Sequence, residues 1–350
     1  MVIVNKDTIK EAAENVYRYM TECRSSEWGM NINEWDWVPG VGAIALQHYF
    51  DRTGHTDILN YLIQWVERNQ EKAGRHRVIN SMAPYATFPG LYKQTKQDKY
   101  LEQAAMIGKW IAEEAPRTRE GAFEHTVTEN ASFPEQVWAD TIFMAVLLLA
   151  RLAKVTGDTA MAGEALEQVS LHLRLLQDEQ TGVLFHGWNC AEQNHLSAAR
   201  WTRANAWVCV AVPLILQEIQ ELVVVPPEIT NRYRRMMDGL LPYQSENGLW
   251  HTVLDRTDFY QETSGSAGIA CGIQLAIRTG LLDESYRKFV RTALQGVLSK
   301  ISEEGEVLGV SGGTPIMPTV DAYQTIAIIP TLYGQGLVLM LLSECLEMEG

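Results

Sequence analysis

The sequence predicts an all-α fold, an (α/α)6 barrel in which six helical hairpins close into a ring. Apolar residues recur at helical spacing along the whole 350-residue chain, and no convincing series of alternating strands interrupts them. Twelve helices can be placed, which makes six hairpins. The connections between them alternate in length, as a ring of hairpins requires. A solenoid or two helical domains is the alternative, which the count of six disfavours. No linker-like stretch divides the chain, so we expect one domain over residues 1–350.

The first helix follows a short N-terminal lead that lacks the basic and apolar segments of a signal peptide. In chain order, the predicted helices cover residues 7–23, 40–53, 56–72, 83–95, 98–115, 135–156, 159–177, 202–220, 227–241, 264–279, 284–300 and 322–346.

The even-numbered helices end in a similar way, and this similarity is the repeat signal. A threonine closes the helix at Thr53, Thr95, Thr156 and Thr279, usually with a glycine after it as the C-cap. An acidic residue then opens the next helix, where it meets the positive end of the helix dipole. The junction that lacks this threonine falls near Val223–Pro227.

The last predicted helix contains the longest uncharged run of the chain, from Ala322 to Ser343. The run is long enough to span a bilayer. It also contains several polar residues and Pro330, which favours a buried helix of the barrel over a membrane span.

The connections after odd-numbered helices are long, and in a ring they lie together on one face. They cover residues 24–39, 73–82, 116–134, 178–201, 242–263 and 301–321. Such loops carry binding and catalytic groups on a rigid scaffold. Most tryptophans lie in them, and Trp35 and His186 are candidate substrate-binding residues. Aromatic rings flanked by polar groups suit a carbohydrate, whereas the alternative is that the indoles only plug the barrel mouth.

Composition excludes several other classes of protein. Lys and Arg number 29 against 43 Asp and Glu, a net charge of −14, which argues against nucleic acid and anionic membranes as partners. The five cysteines show no C-x-x-C spacing, which fits a reducing, cytoplasmic location. No dinucleotide, Walker A or zinc-protease motif is present and the histidines are scattered, so we expect no cofactor and no metal. We expect a monomer or a weak homodimer.

Asp140 is the candidate catalytic carboxylate. It follows Trp138, and the residues after it are almost entirely apolar, so it is predicted one turn into a helix at the barrel mouth. An enclosed carboxyl can serve as a general acid. The alternative is an acid that only favours the helix dipole.

A second cluster lies in the segment RWTRANAWV, which contains Arg200, Trp201, Arg203 and Trp207. A guanidinium beside indole rings at a loop–helix junction suits a sugar carboxylate. The alternative is an arginine that is stacked on tryptophan and paired with a nearby acid.

Several segments together resemble family 105 of the glycoside hydrolases, the unsaturated rhamnogalacturonyl hydrolases, which are related to the unsaturated glucuronyl hydrolases of family 88. The resemblance runs in order from about Trp35 to Gly336. It is carried by VWADTIFMA, HGWN, HLSAARWTRANAWV, NGLWHTVLD, ETSGSAGIA and LYGQGLVLM.

The resemblance implies an (α/α)6 barrel and an unusual reaction. The substrate is an oligosaccharide left by a polysaccharide lyase, with a C4=C5 double bond in its non-reducing uronic acid. One Asp protonates C4 and then activates water to add at C5, and the resulting hemiketal opens and releases the neighbouring sugar.

By position in the motifs, Asp140 matches the catalytic Asp and His125 a substrate-contacting His. Trp201, Arg203 and Trp207 match the element at the uronate subsite, where Arg203 would meet the carboxylate.

The chain departs from the family pattern at one place. Family members usually carry another active-site Asp between the third and fourth helices, but no acid lies between Glu71 and Asp98 here. Asn80 or Ser81 is expected in its place, as a substrate-binding residue that forms hydrogen bonds without charge. Asp36 and Asp255 are the acids that could compensate. Because of this departure, a non-catalytic carbohydrate-binding relative stays open as an alternative. A second alternative is a sugar epimerase or isomerase on the same barrel, which would use His pairs from several loops.

Overall fold

The computed structural model describes residues 5–23, 25–74, 77–129 and 132–348, and in these residues twelve α-helices form the fold. They are α1 (Lys6–Glu22), α2 (Trp37–Thr53), α3 (Thr56–Asn69), α4 (Phe88–Thr95), α5 (Asp98–Glu113), α6 (Leu147–Thr156), α7 (Thr159–Leu176), α8 (Thr202–Ile219), α9 (Pro227–Leu240), α10 (Thr263–Arg278), α11 (Arg287–Leu298) and α12 (Leu332–Cys345). Two short strands, β1 (Gln136–Trp138) and β2 (Gly187–Asn189), pair antiparallel.

The even-numbered helices form the inner ring of the predicted (α/α)6 barrel. Helix α2 contacts the 3-10 segment Asn80–Thr87 that leads into α4, α4 contacts α6, and the ring continues through α8 and α10 to α12, which contacts α2 again. The odd-numbered helices pack outside this ring. The described residues of α10 and α12 are buried almost completely around the helix, as inner-ring helices must be.

Glycines let the inner helices approach closely. A Cβ at Gly272 of α10 would lie 2.5 Å from the backbone of Cys209 on α8. One at Gly268 would lie 2.7 Å from the Cβ of Ala206. The small residues of α10 therefore serve the contact between α8 and α10.

The threonine pattern at the ends of the even helices has a direct structural basis. The hydroxyls of Thr53, Thr95, Thr156 and Thr279 each donate to the carbonyl four residues earlier, at 2.7–2.9 Å. Left-handed residues follow α2 and α6 at Gly54 and Gly157, and Lys96 takes the same conformation after α4. The hydroxyls and the left-handed caps satisfy carbonyl groups that would otherwise lack a partner.

Three predicted helices are shorter than expected. The segment predicted as helix 83–95 is 3-10 as far as Thr87, and α4 begins at Phe88. The segment predicted as helix 135–156 begins with β1 and a turn, passes through a π-helical turn at Ile142–Val146, and only then becomes α6. The segment 322–346 contains a 3-10 turn at Asp321–Thr325 and an irregular stretch before α12. Pro330 disfavours helix at the residue before it, and the side chain of Thr331 caps α12 by accepting from the Gly334 amide at 3.0 Å.

The prediction that the uncharged run does not span a membrane is consistent with this break. None of the described helices is both long and apolar enough to cross a bilayer.

A buried ion-pair cluster lies at the C-terminal ends of the inner helices. The carboxylate of Glu344 in α12 contacts His48 Nε2 and Arg278 Nε, both at 2.9 Å. Burial alone would raise the pKa of Glu344, but the hydrogen bond from His48 and the charge of Arg278 lower it to about 2. The group is therefore ionised and joins α2, α10 and α12.

Candidate active site

A cavity of about 660 Å³ opens at the other end of the barrel, where the long odd-to-even connections enter the inner helices. Its described lining residues are Trp28, Trp37, Asn80, His125, Val127, Glu129, Phe133, Trp138, Asp140, Met144, His186, Trp201, Arg203, Trp207, Gly312, Gly313, Thr314, Pro315, Thr325, Ile326, Ala327 and Ile329. Every long connection except 242–263 contributes to this described lining. The cavity is mostly apolar with a few polar groups, which is typical of a small-molecule site.

Asp140 lies at the start of the helical segment, not one turn into it as predicted. Its backbone carbonyl accepts from the amides of Phe143 and Met144, both at 3.0 Å. Its side chain is buried, and Asn80 Nδ2 donates to Oδ2 at 2.9 Å. The second oxygen, Oδ1, has no hydrogen-bond partner among the described residues. One oxygen is thus held by an amide while the other is available for chemistry.

His125 lies beside this carboxylate as a neutral ring. Its Nδ1 is 3.6 Å from Asp140 Oδ1, which is longer than a hydrogen bond. Burial lowers the pKa of His125, and the charge of Asp140 only partly opposes this. The imidazole stacks on Trp138 with a centroid separation of 3.9 Å and an interplanar angle of 4°. Because the imidazole is neutral and stacks on Trp138, His125 and Asp140 form a polar contact and not an ion pair.

The β1–β2 pair places His186 opposite Ala139, the residue before Asp140. Trp138 pairs with Gly187, and the Ala139 amide donates to the His186 carbonyl at 3.2 Å. His186 Nδ1 lies 2.7 Å from the Tyr323 hydroxyl, and burial holds the pKa of His186 well below its usual value. The short sheet therefore positions His186, which sequence periodicity alone did not indicate.

Arg203 lines the cavity, but its guanidinium is bound to the protein itself. Nη1 donates to the carbonyl and hydroxyl oxygens of Ser311 at 2.9 and 2.5 Å, and Nη2 donates to the Gly312 carbonyl at 2.8 Å. The buried carboxylate of Glu262 lies 3.4 Å from Nη1. The alternative considered for this residue, stacking on tryptophan and pairing with an acid, thus describes its contacts.

Indole and phenol rings enclose this guanidinium. Its central carbon lies 4.5 Å from the Trp201 ring and 4.6 Å from the Tyr333 ring. Trp207 packs on Phe143 at 5.0 Å and lines the cavity from α8. Arg203 therefore fixes the segment from Ser311 to Thr314 against the barrel mouth.

Two predicted site residues do not line this cavity. Trp35 stacks on Trp65 at 5.3 Å and belongs to the aromatic core below the first long loop. Ser81 is buried and its hydroxyl donates to the Val78 carbonyl at 3.0 Å. Of the two residues expected in place of the family's second Asp, Asn80 is therefore the one in contact with Asp140.

The two acids that could compensate for the missing Asp also lie outside the cavity lining. Asp36 caps α2 by accepting from the Trp37 amide at 2.7 Å. Asp255 pairs with Arg200 at 2.7 Å. Glu129 and Asp140 are the carboxylates among the described lining residues.

Sequence reasoning missed several lining groups. Trp28 and Trp37 were expected in the first long loop and Trp138 in the first turns of a helix, but none of the three was predicted to bind substrate. The segment Thr325–Ile329 was assigned to a helix, which hid its position at the cavity mouth. The contact of the segment Gly309–Gly313 with Arg203 had no local signal in the sequence.

Comparison with known proteins gives a consistent result. The sequence model described as "Glycosyl Hydrolase Family 88" matches residues 8–349. An unsaturated rhamnogalacturonyl hydrolase, YesR of Bacillus subtilis, is 35% identical over 321 residues, which cover 89% of this chain and 90% of that protein. An unsaturated 3S-rhamnoglycuronyl hydrolase of Alteromonas sp. is 27% identical over 330 residues, covering 89% of this chain and 77% of that protein.

The structural comparison extends over almost the whole chain. A Salmonella enterica protein, described as a possible member of the GH105 family, superposes with a TM-score of 0.93 at 29% identity. The superposition covers 98% of this chain and 95% of that structure.

Proposed function

Since the chain belongs to Glycosyl Hydrolase Family 88, we propose that it removes an unsaturated uronic acid from the non-reducing end of an oligosaccharide produced by a polysaccharide lyase. The observation that carries this proposal is the state of Asp140. It is a buried carboxylate in an aromatic cavity, with one oxygen bound by Asn80 and the other without a protein partner. A single such carboxyl can donate a proton and then accept one.

The reaction follows from this arrangement. Asp140 in its acid form protonates C4 of the C4=C5 double bond, and the developing positive charge is shared with the ring oxygen. The carboxylate that results removes a proton from a water molecule that attacks C5. The hemiketal formed at C5 then opens and releases the neighbouring sugar. Because the double bond is hydrated first, the spacing rule for paired glycosidase carboxylates does not apply.

The other lining residues shape the uronate subsite. Trp201, Trp207 and Trp138 supply rings for the sugar faces, and His125 and His186 supply neutral imidazoles. Arg203 holds the segment that includes Gly312 and Thr314, and so fixes the wall that this segment forms at the cavity. The identity to YesR supports a rhamnogalacturonyl-type oligosaccharide as the substrate.

An assay with an unsaturated disaccharide tests the function. The hydrolase consumes the conjugated double bond, so the ultraviolet absorbance of the disaccharide falls. A sugar epimerase would leave that absorbance unchanged and interconvert saturated sugars. A non-catalytic binding protein would do neither. Unchanged absorbance at high concentrations of the folded protein would refute the proposed reaction.

We also infer a cytoplasmic location and a monomer or weak homodimer. The five free cysteines, four of them buried, support a reducing compartment. Sedimentation of the purified chain across a range of concentrations tests the oligomeric state.

A further inference from the structure

We propose that a second depression beside the cavity binds a neutral sugar of the oligosaccharide. This sugar lies beyond the two residues that the broken bond joins. This distal depression has a volume of about 370 Å³, and its lining includes Trp28, Asn31, Glu34, Trp35, Lys72 and Thr128. The inference rests on the proposed function, because it places the leaving part of the same substrate.

The distal depression adjoins the active-site cavity. Trp28 lines both of them. Val127 and Glu129 line the cavity whereas Thr128, between them, lines the depression, so this short segment forms the ridge that separates the two. A sugar chain that leaves the cavity over this ridge passes Trp28.

Trp28 is suited to stack against a sugar. Its side chain is 43% exposed, which is unusual for so large an apolar ring. It packs edge-on against Trp37 at 5.5 Å, which holds the ring in place. An immobilised and exposed indole between two depressions is typical of a carbohydrate platform.

Two buried polar atoms at the distal depression have no hydrogen-bond partner among the described residues. They are Trp35 Nε1 and Thr128 Oγ1. Trp35 is only 7% exposed. An unpartnered buried donor costs free energy, and a sugar hydroxyl is a partner that both groups accept. The sequence predicted that Trp35 binds substrate. Trp35 lines the distal depression and not the active-site cavity.

The charges determine the class of sugar. Glu34 and Asp36 contribute carboxylates to the lining. The ammonium group of Lys72 lies 3.5 Å from Glu34 and also donates to the Asn33 carbonyl, so its charge is already paired. A sulfated or uronic residue would be repelled, and a neutral, hydroxyl-rich sugar is therefore favoured.

The experiment compares two substrates with the same unsaturated end, a disaccharide and a tetrasaccharide whose inner residues are neutral. For the wild-type protein we expect a lower KM for the tetrasaccharide. Thr128→Val removes the hydroxyl at nearly constant shape and should raise KM for the tetrasaccharide about threefold to tenfold, the range of one hydrogen bond. The disaccharide kinetics should be unchanged. Trp35→Phe, which deletes the N–H and keeps a ring, should act in the same direction.

Thr230→Val is the matched control, because Thr230 lines a depression near the C-terminal end of α8. It should leave both substrates unaffected. Equal wild-type KM values for the two substrates would overturn the inference, and this comparison requires no variant to fold. A Thr128→Val effect of equal size on both substrates would overturn it too, as would tighter binding of a tetrasaccharide with anionic inner residues. Absence of turnover on both substrates would instead overturn the proposed function, and the inference with it.

Discussion

At the scale of single residues, Asp140 is the group on which the reaction depends. Asp140→Asn keeps the shape of the side chain and removes the transferable proton. We expect a loss of about 100-fold or more in kcat, the usual scale for general acid–base catalysis, with an unchanged melting temperature. Turnover of the unsaturated disaccharide measures the loss in kcat. Asp255→Asn is the control, since Asp255 pairs with Arg200 outside the cavity. A rate near that of the wild type would exclude Asp140 as the acid.

Asn80 is the second residue for which the structure gives a sharp expectation. Its amide donates to Asp140 Oδ2 at 2.9 Å, so Asn80→Asp would place two carboxyl groups at hydrogen-bond distance. Such a pair retains one proton to higher pH because like charges disfavour full ionisation. If protonation limits the rate, the alkaline limb of the pH–rate profile should move upward, and the ranking of oligosaccharide substrates should change.

Ser81→Asp controls for the introduction of a buried carboxylate in the same segment. Ser81 donates to the Val78 carbonyl and does not line the cavity. The Ser81→Asp substitution should lower the melting temperature without shifting the pH–rate profile. An Asn80→Asp enzyme with the wild-type pH profile would contradict the proposed part of Asn80 in catalysis.

Arg203 acts through the segment it holds. Arg203→Lys replaces a planar group with several donors by one ammonium, which cannot reach Ser311, Gly312 and Thr314 together. We expect a higher KM for the uronate substrate and a lower melting temperature. Arg200→Lys is the matched control, because Arg200 pairs with Asp178 and Asp255 away from the cavity. A lower melting temperature with unchanged KM would show that Arg203 supports the fold alone.

At the scale of secondary-structure elements, the sequence predicted the helix ends that contacts between neighbouring residues determine. The threonine and glycine ends of the even helices were predicted from Thr53, Thr156 and their neighbours, and the structure confirms these caps. Periodicity placed the other helices to within a few residues, because each buries one apolar face.

Long-range contacts decide the elements that the sequence did not predict. The stretch before α6 is as apolar as a helix, yet β1 pairs with β2 from a connection that is distant in sequence. The same holds for Asn80, whose contact with Asp140 depends on how the helices are arranged in the ring. Motif matching found Asp140 and the residues near it, whereas the role of Arg203 depended on Glu262 and Ser311, which lie far along the chain.

At the scale of the whole molecule, the Glu344 cluster predicts a dependence of stability on pH. The pKa of Glu344 is lowered from 4.5 to about 2 on folding, so its contribution is complete above about pH 4.5 and is lost as the pH falls toward 2. Glu344→Gln should lower the free energy of unfolding by roughly 3 kcal/mol at about pH 7, since Arg278 and His48 lose their buried partner.

Denaturant unfolding at about pH 7 and about pH 3 measures this contribution. The difference between wild type and variant should be smaller at the lower pH. Glu347→Gln is the control, because Glu347 pairs with Arg52 but is 71% exposed. A difference that stays constant with pH would indicate lost packing as its cause.

Closure of the ring has a consequence for biosynthesis. Helices α2 and α12 come from opposite ends of the sequence, yet a Cβ at Gly336 would lie 3.2 Å from the Cβ of Ala45. While the ribosome is still translating, the face of α2 that α12 will cover has no partner. The cavity also lacks the Thr325–Ile329 wall until those residues have emerged. Nascent chains therefore carry an exposed apolar seam until α12 has emerged from the ribosome, and during that interval the seam is open to non-native association.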